Sequence, residues 1–236
     1  MTTRMFIDGE WRDATSGATV EATSPATGES LGPVAEGDRA DARLAIAAAN
    51  AAFPSWGART GFERAELLHR AAGVMEGRAD ELARMLTLDQ GKPLRAEAEV
   101  EVGELVEFFR MAAEDGKRVE GSIPQSAAPG RRVLLVRRPL GVLGLITPWN
   151  WPYTMPAEVL APALACGNTV VWTPAPSTAV CSGPGPSTKL KTPGGKSASA
   201  MHSASNPEQT AVEGAGVQTT VFPHASAGAS TSAGIV

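Results

Sequence analysis

The sequence predicts an α/β protein: a leading layer of helices, then the start of a parallel sheet, then a tail without regular structure. Three observations carry that prediction. Apolar residues recur at helical spacing through most of residues 39–119. Strand, helix and strand then follow within about 33 residues, from Leu140 to Trp172, and such units pair their strands in parallel. Finally, from Ala179 to Val236, Ala, Ser, Gly, Pro and Thr make up 38 of 58 residues, with Phe222 as the one aromatic and no Arg or Asp. Such a mixture buries too little apolar surface to offset chain entropy, so the tail is expected to be disordered.

The elements follow in order. Met5 to Trp11 places Asp8-Gly9 between short apolar runs, a hairpin signal. Pro25 to Glu29 reads as a turn and Leu31 to Ala35 as a strand. Asp38 is suited to cap the Ala-rich helix from Arg39 to Phe53. Leu67, Leu68, Ala71, Val74 and Met75 predict a second helix, and Leu82, Met85 and Leu86 a third. After Gly91-Lys92-Pro93, residues 94–119 predict one long helix. Its acids Glu97, Glu99, Glu101 and Glu104 read as a solvated face. Val133 to Val136 reads as a short β run between paired arginines. Leu140 to Ile146 is a glycine-punctuated buried strand, Pro156 to Ala165 a helix, and Asn168 to Trp172 the next strand.

Composition excludes several function classes. Net charge is −4, made of −5 in residues 1–178 and +1 in the tail, so neither part carries the basic excess of a nucleic-acid binder. No run of about 18 apolar residues exists, and no membrane partner is expected. Met1 to Glu10 has no apolar h-region, and Cys166 and Cys181 form no disulfide framework or metal knuckle. A reducing cytoplasm is the expected compartment. His202 and His224 have no partner at metal-ligand spacing, so no metal is expected.

The chemistry concentrates in Thr147-Pro148-Trp149-Asn150-Trp151-Pro152, at the carboxyl end of the first parallel strand. Open α/β sheets bind ligands at such ends. Pro148 and Pro152 stiffen the turn, which suits an Asn150 amide held at a fixed point to stabilise an oxyanion. The same residues also suit a packed turn whose Asn satisfies its own backbone.

Gly141 to Asn150, followed by Pro162 to Val171, resembles the NAD(P)-dependent aldehyde dehydrogenase superfamily. Ile7 to Trp11, Pro25 to Glu29, Ala52 to Trp56 and Gln90 to Leu94 resemble it too, so the likeness covers about residues 5–182. It implies an aldehyde-dehydrogenase-like fold with an incomplete Rossmann-like parallel sheet. It implies that Asn150 is the oxyanion donor and that Ile146, Thr147, Pro148 and Trp149 line the site of NAD or NADP. An aldehyde is the implied substrate, and the region from Arg131 to Pro139 is implied to reach a neighbouring subunit. The expected organisation is a hairpin and helical layer over 1–122, oligomerisation strands over 123–140, the dinucleotide-binding start over 141–178, and the tail over 179–236.

Departures from the family pattern shape the functional expectation. Where the family strand continues with a ribose-binding Lys and Glu, this chain has Thr173 and Pro176, and a further family Lys is Val159 here. The nucleophile motif F-x-x-x-G-Q-x-C is absent, and neither Cys166 nor Cys181 matches it. Thr192 stands where an echo of the general-base motif would need Glu. The expectation is a truncated aldehyde dehydrogenase, inactive alone. The alternative is a non-catalytic assembly or dinucleotide-binding fragment that associates with full-length paralogues. Truncation predicts exposed apolar surface at Leu143 to Ile146 and at Val170 to Trp172, with poor solubility.

Overall fold

A computed structural model describes residues 3–183 together with the backbone of 219–221. The tail expected to be disordered from Ala179 is instead ordered through Gly183, because Ala179 and Val180 pack against Val34 and Cys181 joins the main core. Apart from 219–221, the rest of that expectation lies outside the described residues.

Two antiparallel ribbons open the chain. Strands β1 (Met5–Ile7) and β2 (Glu10–Arg12) pair across Asp8 and Gly9, both at positive φ, as a tight hairpin turn requires. Strands β3 (Thr19–Thr23) and β4 (Ser30–Ala35) form the second ribbon. Helix α1 (Arg39–Gly57) starts on a reciprocal cap between Asp38 and Asp41. It runs past the predicted stop at Phe53 because Trp56 is fully buried and donates its indole N–H to the Leu164 carbonyl at 3.1 Å. Helices α2 (Gly61–Gly77) and α3 (Ala79–Gln90) follow as predicted. The long helix begins with one π turn (Leu94–Ala98) before α4 (Glu99–Gly116).

The parallel unit is present: β5 (Val142–Ile146), α5 (Thr154–Ala165) and β6 (Thr169–Thr173), with Val142 opposite Thr169 and Ile146 opposite Thr173. A third parallel strand, β7 (Thr219–Val221), pairs with the other edge of β6, from a segment where the sequence predicts none. Side chains alternate across this sheet. Leu143, Leu145, Val170 and Trp172 pack with α4 and α5 in the main core, around Leu68, Leu86, Val102 and Phe109. Val142 and Val171 face the opposite way, onto Ala45, Ala48 and Ala49 of α1 and Met5 and Ile7 of β1.

This double cover corrects one expectation. Val170 to Trp172 are buried, not exposed, because β6 has a strand on each edge and helices on both faces. The expectation holds in part for β5, where Gly144 is exposed and Ile146 is 84% exposed, while Leu143 and Leu145 are half-buried. A second correction concerns Val133 to Val136. They form no strand; a single antiparallel bridge joins Leu135 to Ser122. With so little of a ladder, Leu134 and Val136 stay exposed.

Helix α5 is held at its C-terminal end by distant residues. Besides Trp56, the buried Arg64 donates to the Ala165 carbonyl at 2.8 Å, and the Asn168 amide donates to Ala163 while accepting from the Gly141 N–H. Gly167 ends the helix at φ 87°, wedged against Pro139 and Arg64. Close helix approach also relies on Gly61, where a Cβ would stand 2.6 Å from the Gly116 carbonyl oxygen of α4. Gly73, on the same helix, has open space around it. Gly61→Ala is therefore expected to lose about 1–3 kcal/mol of stability through overpacking. Gly73→Ala is expected to gain about 0.4–1 kcal/mol. Urea unfolding midpoints of the two variants check the opposite signs.

Candidate active-site turn

Residues 147–152 leave the carboxyl end of β5 and re-enter the fold at α5. Thr147 closes the strand: its N–H donates to the Thr173 carbonyl at 3.2 Å, and its hydroxyl accepts from the Trp172 indole at 2.8 Å. It is buried and faces inward, whereas Ile146, Pro148, Trp149 and Asn150 are exposed. The structure thus leaves four of the five predicted site residues exposed, brings Trp149 and Asn150 together in one cleft, and turns Thr147 into the core. Trp149, Asn150 and Trp151 form one wall of an open cleft of about 370 Å³; residues 90–93 and Glu97 form the other.

The downstream end of the turn is tied to a buried acid. Glu101 of α4 is 0% exposed, which corrects its placement on a solvated acidic face. Glu97 and Glu99 are exposed, but Glu101 lies on the stripe that buries Ala98, Val102 and Leu105. Its Oε1 accepts the N–H groups of Tyr153 and Thr154 at 2.8 and 3.4 Å. Its Oε2 meets Lys92 Nζ at 2.5 Å, and the same ammonium sits 4.3 Å from the centre of the Trp151 ring. Beside it, the Thr154 hydroxyl donates to Glu104 at 2.7 Å. Helix periodicity alone, with one acid on the apolar stripe, is the signal that would have found Glu101. Lys92 lies in the quoted motif Gln90 to Leu94 but carries no mark of its partner.

The two thiols lie away from Asn150. Cys166 is exposed at the C-terminal end of α5, roughly 18 Å of helix from the turn. Cys181 is buried. Its N–H donates to Asp89 at 2.9 Å and its thiol to the Thr178 carbonyl at 3.3 Å. Burial, and then the neighbouring Asp89 charge, pushes the Cys181 thiol well above its usual range, so it resists forming a thiolate. Burial likewise raises Asp89, against the hydrogen bonds from Cys181 and Gln90 that favour its charged form. Thr173 is half-buried and Pro176 exposed, so no charged side chain occupies either of the two departing positions. No group of His, Cys, Asp and Glu able to hold a metal occurs among the described residues.

Residues 11–183 match the aldehyde dehydrogenase family. The chain belongs to the aldehyde dehydrogenase family. It is 43% identical to the glutarate-semialdehyde dehydrogenase of Pseudomonas putida over 173 residues, 73% of this chain and 36% of that protein. It is 42% identical to the succinate-semialdehyde dehydrogenase [NADP(+)] of Escherichia coli, with the same coverage. Among solved structures it is similar to PnpE in complex with nicotinamide adenine dinucleotide, with a TM-score of 0.79 and 29% identity over 95% of this chain and 42% of that one. Family members thus include both NAD and NADP proteins. The chain spans about a third of the length of the curated relatives it matches. No helix among the described residues is long and apolar enough to cross a membrane.

Two measurements test the placement of these groups. Alkylation of the native chain with iodoacetamide is expected to label Cys166 and spare Cys181, with both labelled after unfolding; early labelling of Cys181 would contradict its burial. The second concerns Asp89. Because its folded pKa is raised, the folded state holds the Asp89 proton more tightly than the unfolded chain does. Its contribution is fully present below the ordinary carboxyl range and is lost as pH rises through the folded value. Asp89→Asn, which keeps an acceptor for Cys181, is expected to remove that fall and melt higher than the parent at neutral pH. A thermal-melt series against pH reads the difference.

Proposed function

We propose that this chain supplies the oxyanion donor and the leading edge of the cofactor crevice of an enzyme that oxidises aldehydes to carboxylic acids with NAD or NADP. The observation that carries the reading is the turn itself. Asn150 stands exposed at the carboxyl end of a parallel strand, in a cleft, on a backbone fixed at both ends. In this chemistry a thiolate attacks the aldehyde carbon and the carbonyl oxygen takes up negative charge. An amide N–H held at a constant position lowers the energy of that oxyanion without reorganising. NAD or NADP, when bound, accepts the hydride that leaves the same carbon.

The residues at the strand ends fit a dinucleotide in part. Ile146, Pro148 and Trp149 offer apolar faces at the carboxyl edge of β5, and Thr173 offers a hydroxyl at the end of β6. The first turn of α5 does not add a phosphate site. Thr154 N–H is bonded to Glu101, Met155 N–H to the Trp151 carbonyl, Ala157 N–H to the Tyr153 carbonyl, and Pro156 has none. Thr173 and Pro176 bring no charge to the ribose, so the proposed affinity rests on apolar contact and one hydroxyl.

We infer that the 236 residues alone do not turn over aldehyde. The chain has two cysteines, one at the far end of α5 and one buried with its thiol held protonated, so neither is placed to serve beside Asn150. Both are unpaired, which supports a reducing compartment such as the cytoplasm. A second reading rests on residues 123–140, where Ile123, Leu134, Val136 and Leu140 are each more than two-thirds exposed. That apolar arm supports association with another copy or with full-length paralogues.

Glutarate and succinate semialdehydes, the aldehydes named for the relatives above, are the first substrates to assay, with NAD and with NADP. The expected rate equals that of a heat-killed control, and a clear excess would sink the inference of inactivity. Titration with either dinucleotide is expected to change the fluorescence of Trp149, an effect lost in Trp149→Phe. No change in the parent would remove the cofactor part of the proposal.

A further inference from the structure

We propose that Lys92 and Glu101 are positioning residues for Asn150: the buried pair fixes the turn that carries the amide. The inference rests on the reading of Asn150 as an oxyanion donor.

The argument begins with what holds residues 148–152 in place. Upstream, the turn is anchored by Thr147, whose backbone and hydroxyl both bond to β6. Downstream, anchorage comes from Glu101 and Lys92. One carboxylate oxygen takes the N–H groups of Tyr153 and Thr154, three and four residues beyond Asn150. The other takes the Lys92 ammonium, which also lies over the Trp151 ring, immediately after Asn150. Each member of the pair therefore grips the turn separately, one by backbone and one by an aromatic face.

The charges are placed to matter. Glu101 is fully buried and the Lys92 side chain is 13% exposed, so solvent screens the pair weakly. A carboxylate buried without its cation is strongly unfavourable, and the same carboxylate bonded to two N–H groups and an ammonium is compensated. Removing the ammonium would leave Glu101 with a charge it holds only by drawing in water or shifting toward the cleft, and either change moves the first turn of α5. Lys92 and Asn150 line the same cleft, so the positioning group and the positioned one share a wall with whatever enters it. Lys92 comes from the segment between α3 and the π turn, and Glu101 from α4. The position of Asn150 is thus set by the helical layer as well as by the sheet.

Nuclear magnetic resonance of the full unliganded chain tests this without activity. The readouts are the side-chain NH2 resonances of Asn150 and the amide exchange rates of Tyr153 and Thr154. In Lys92→Met the Asn150 resonances are expected to move away from their parent positions as the turn that carries them shifts. Exchange at Tyr153 and Thr154 is expected to rise about tenfold, the change for a weakened charge-assisted bond. Lys92→Arg keeps a cation that can stack on Trp151 and pair with Glu101, and is expected to restore both readouts. Glu101→Gln, which retains an acceptor for the two N–H groups, is expected to shift Asn150 with a smaller rise in exchange. Unchanged Asn150 resonances in Lys92→Met would overturn the proposal. So would a Lys92→Arg variant as perturbed as Lys92→Met, because filling space would then be the whole role of the side chain. Lys92 is at the cleft rim, so its variants report even where Glu101→Gln fails to fold. None of these readouts depends on dinucleotide binding or turnover, so failure of the functional reading appears in the titration and assay and leaves this test standing.

Discussion

Two parallel strands cannot be joined by a tight turn. The chain between them must travel back along the sheet, and in this protein it does so as the buried helix α5. A buried helix brings a fixed obligation: the N–H groups of its first turn and the carbonyls of its last need partners that water cannot supply. Much of the structure is organised around meeting it. At the first turn the partner is the Glu101 carboxylate from α4. At the last turn the partners are the Trp56 indole from α1, the Arg64 guanidinium from α2 and the Asn168 amide. The leading helices therefore complete the crossover that builds the sheet, and the cleft beside Asn150 lies where sheet and helical layer meet.

This division explains what could be read from sequence. Local signals are carried by residues close together in the chain, and they placed the Asp8-Gly9 hairpin, the Asp38 cap and the β5-α5-β6 unit. The turn with Asn150 was legible because Pro148 and Pro152 mark it. Glu101 shares its charge with Glu97, Glu99 and Glu104, so the acidic run hides it; its place on the stripe of Ala98, Val102 and Leu105 marks it as inward-facing, and only the fold shows that its partners are Lys92 and the start of α5. Val133 to Val136 were misread for a different reason. Their β propensity is real, but a strand exists only where a partner lies alongside, and among the described residues a single bridge to Ser122 is all that pairs with them. The strand at 219–221 lies in Val217 to Phe222, whose β-branched residues carry a local signal that the tail's overall composition masks, and the edge of β6 selects it.

The turn itself shows how a short segment becomes fixed without regular structure. Its residues bury little: Trp149 is 64% exposed and Asn150 is exposed. Their order comes from the two ends, Thr147 on β6 and Trp151 to Thr154 on the Lys92–Glu101 pair. The exposed middle is left to face the cleft. The cost is carried by a charge with no access to water, and that charge keeps its place through three bonds from two different segments.

The bonds that finish α5 also impose an order on biosynthesis. Trp56 and Leu164 are 108 residues apart, Arg64 and Ala165 are 101, and Thr169 and Ala49 are 120. At about 5–20 residues per second, a ribosome needs roughly 5–25 seconds to deliver the second partner after the first. Throughout that interval α1 and α2 present an indole and a guanidinium whose acceptors do not yet exist. The final packing of the N-terminal helices therefore waits on the synthesis of α5, because the bonds from Trp56 and Arg64 cannot form before it.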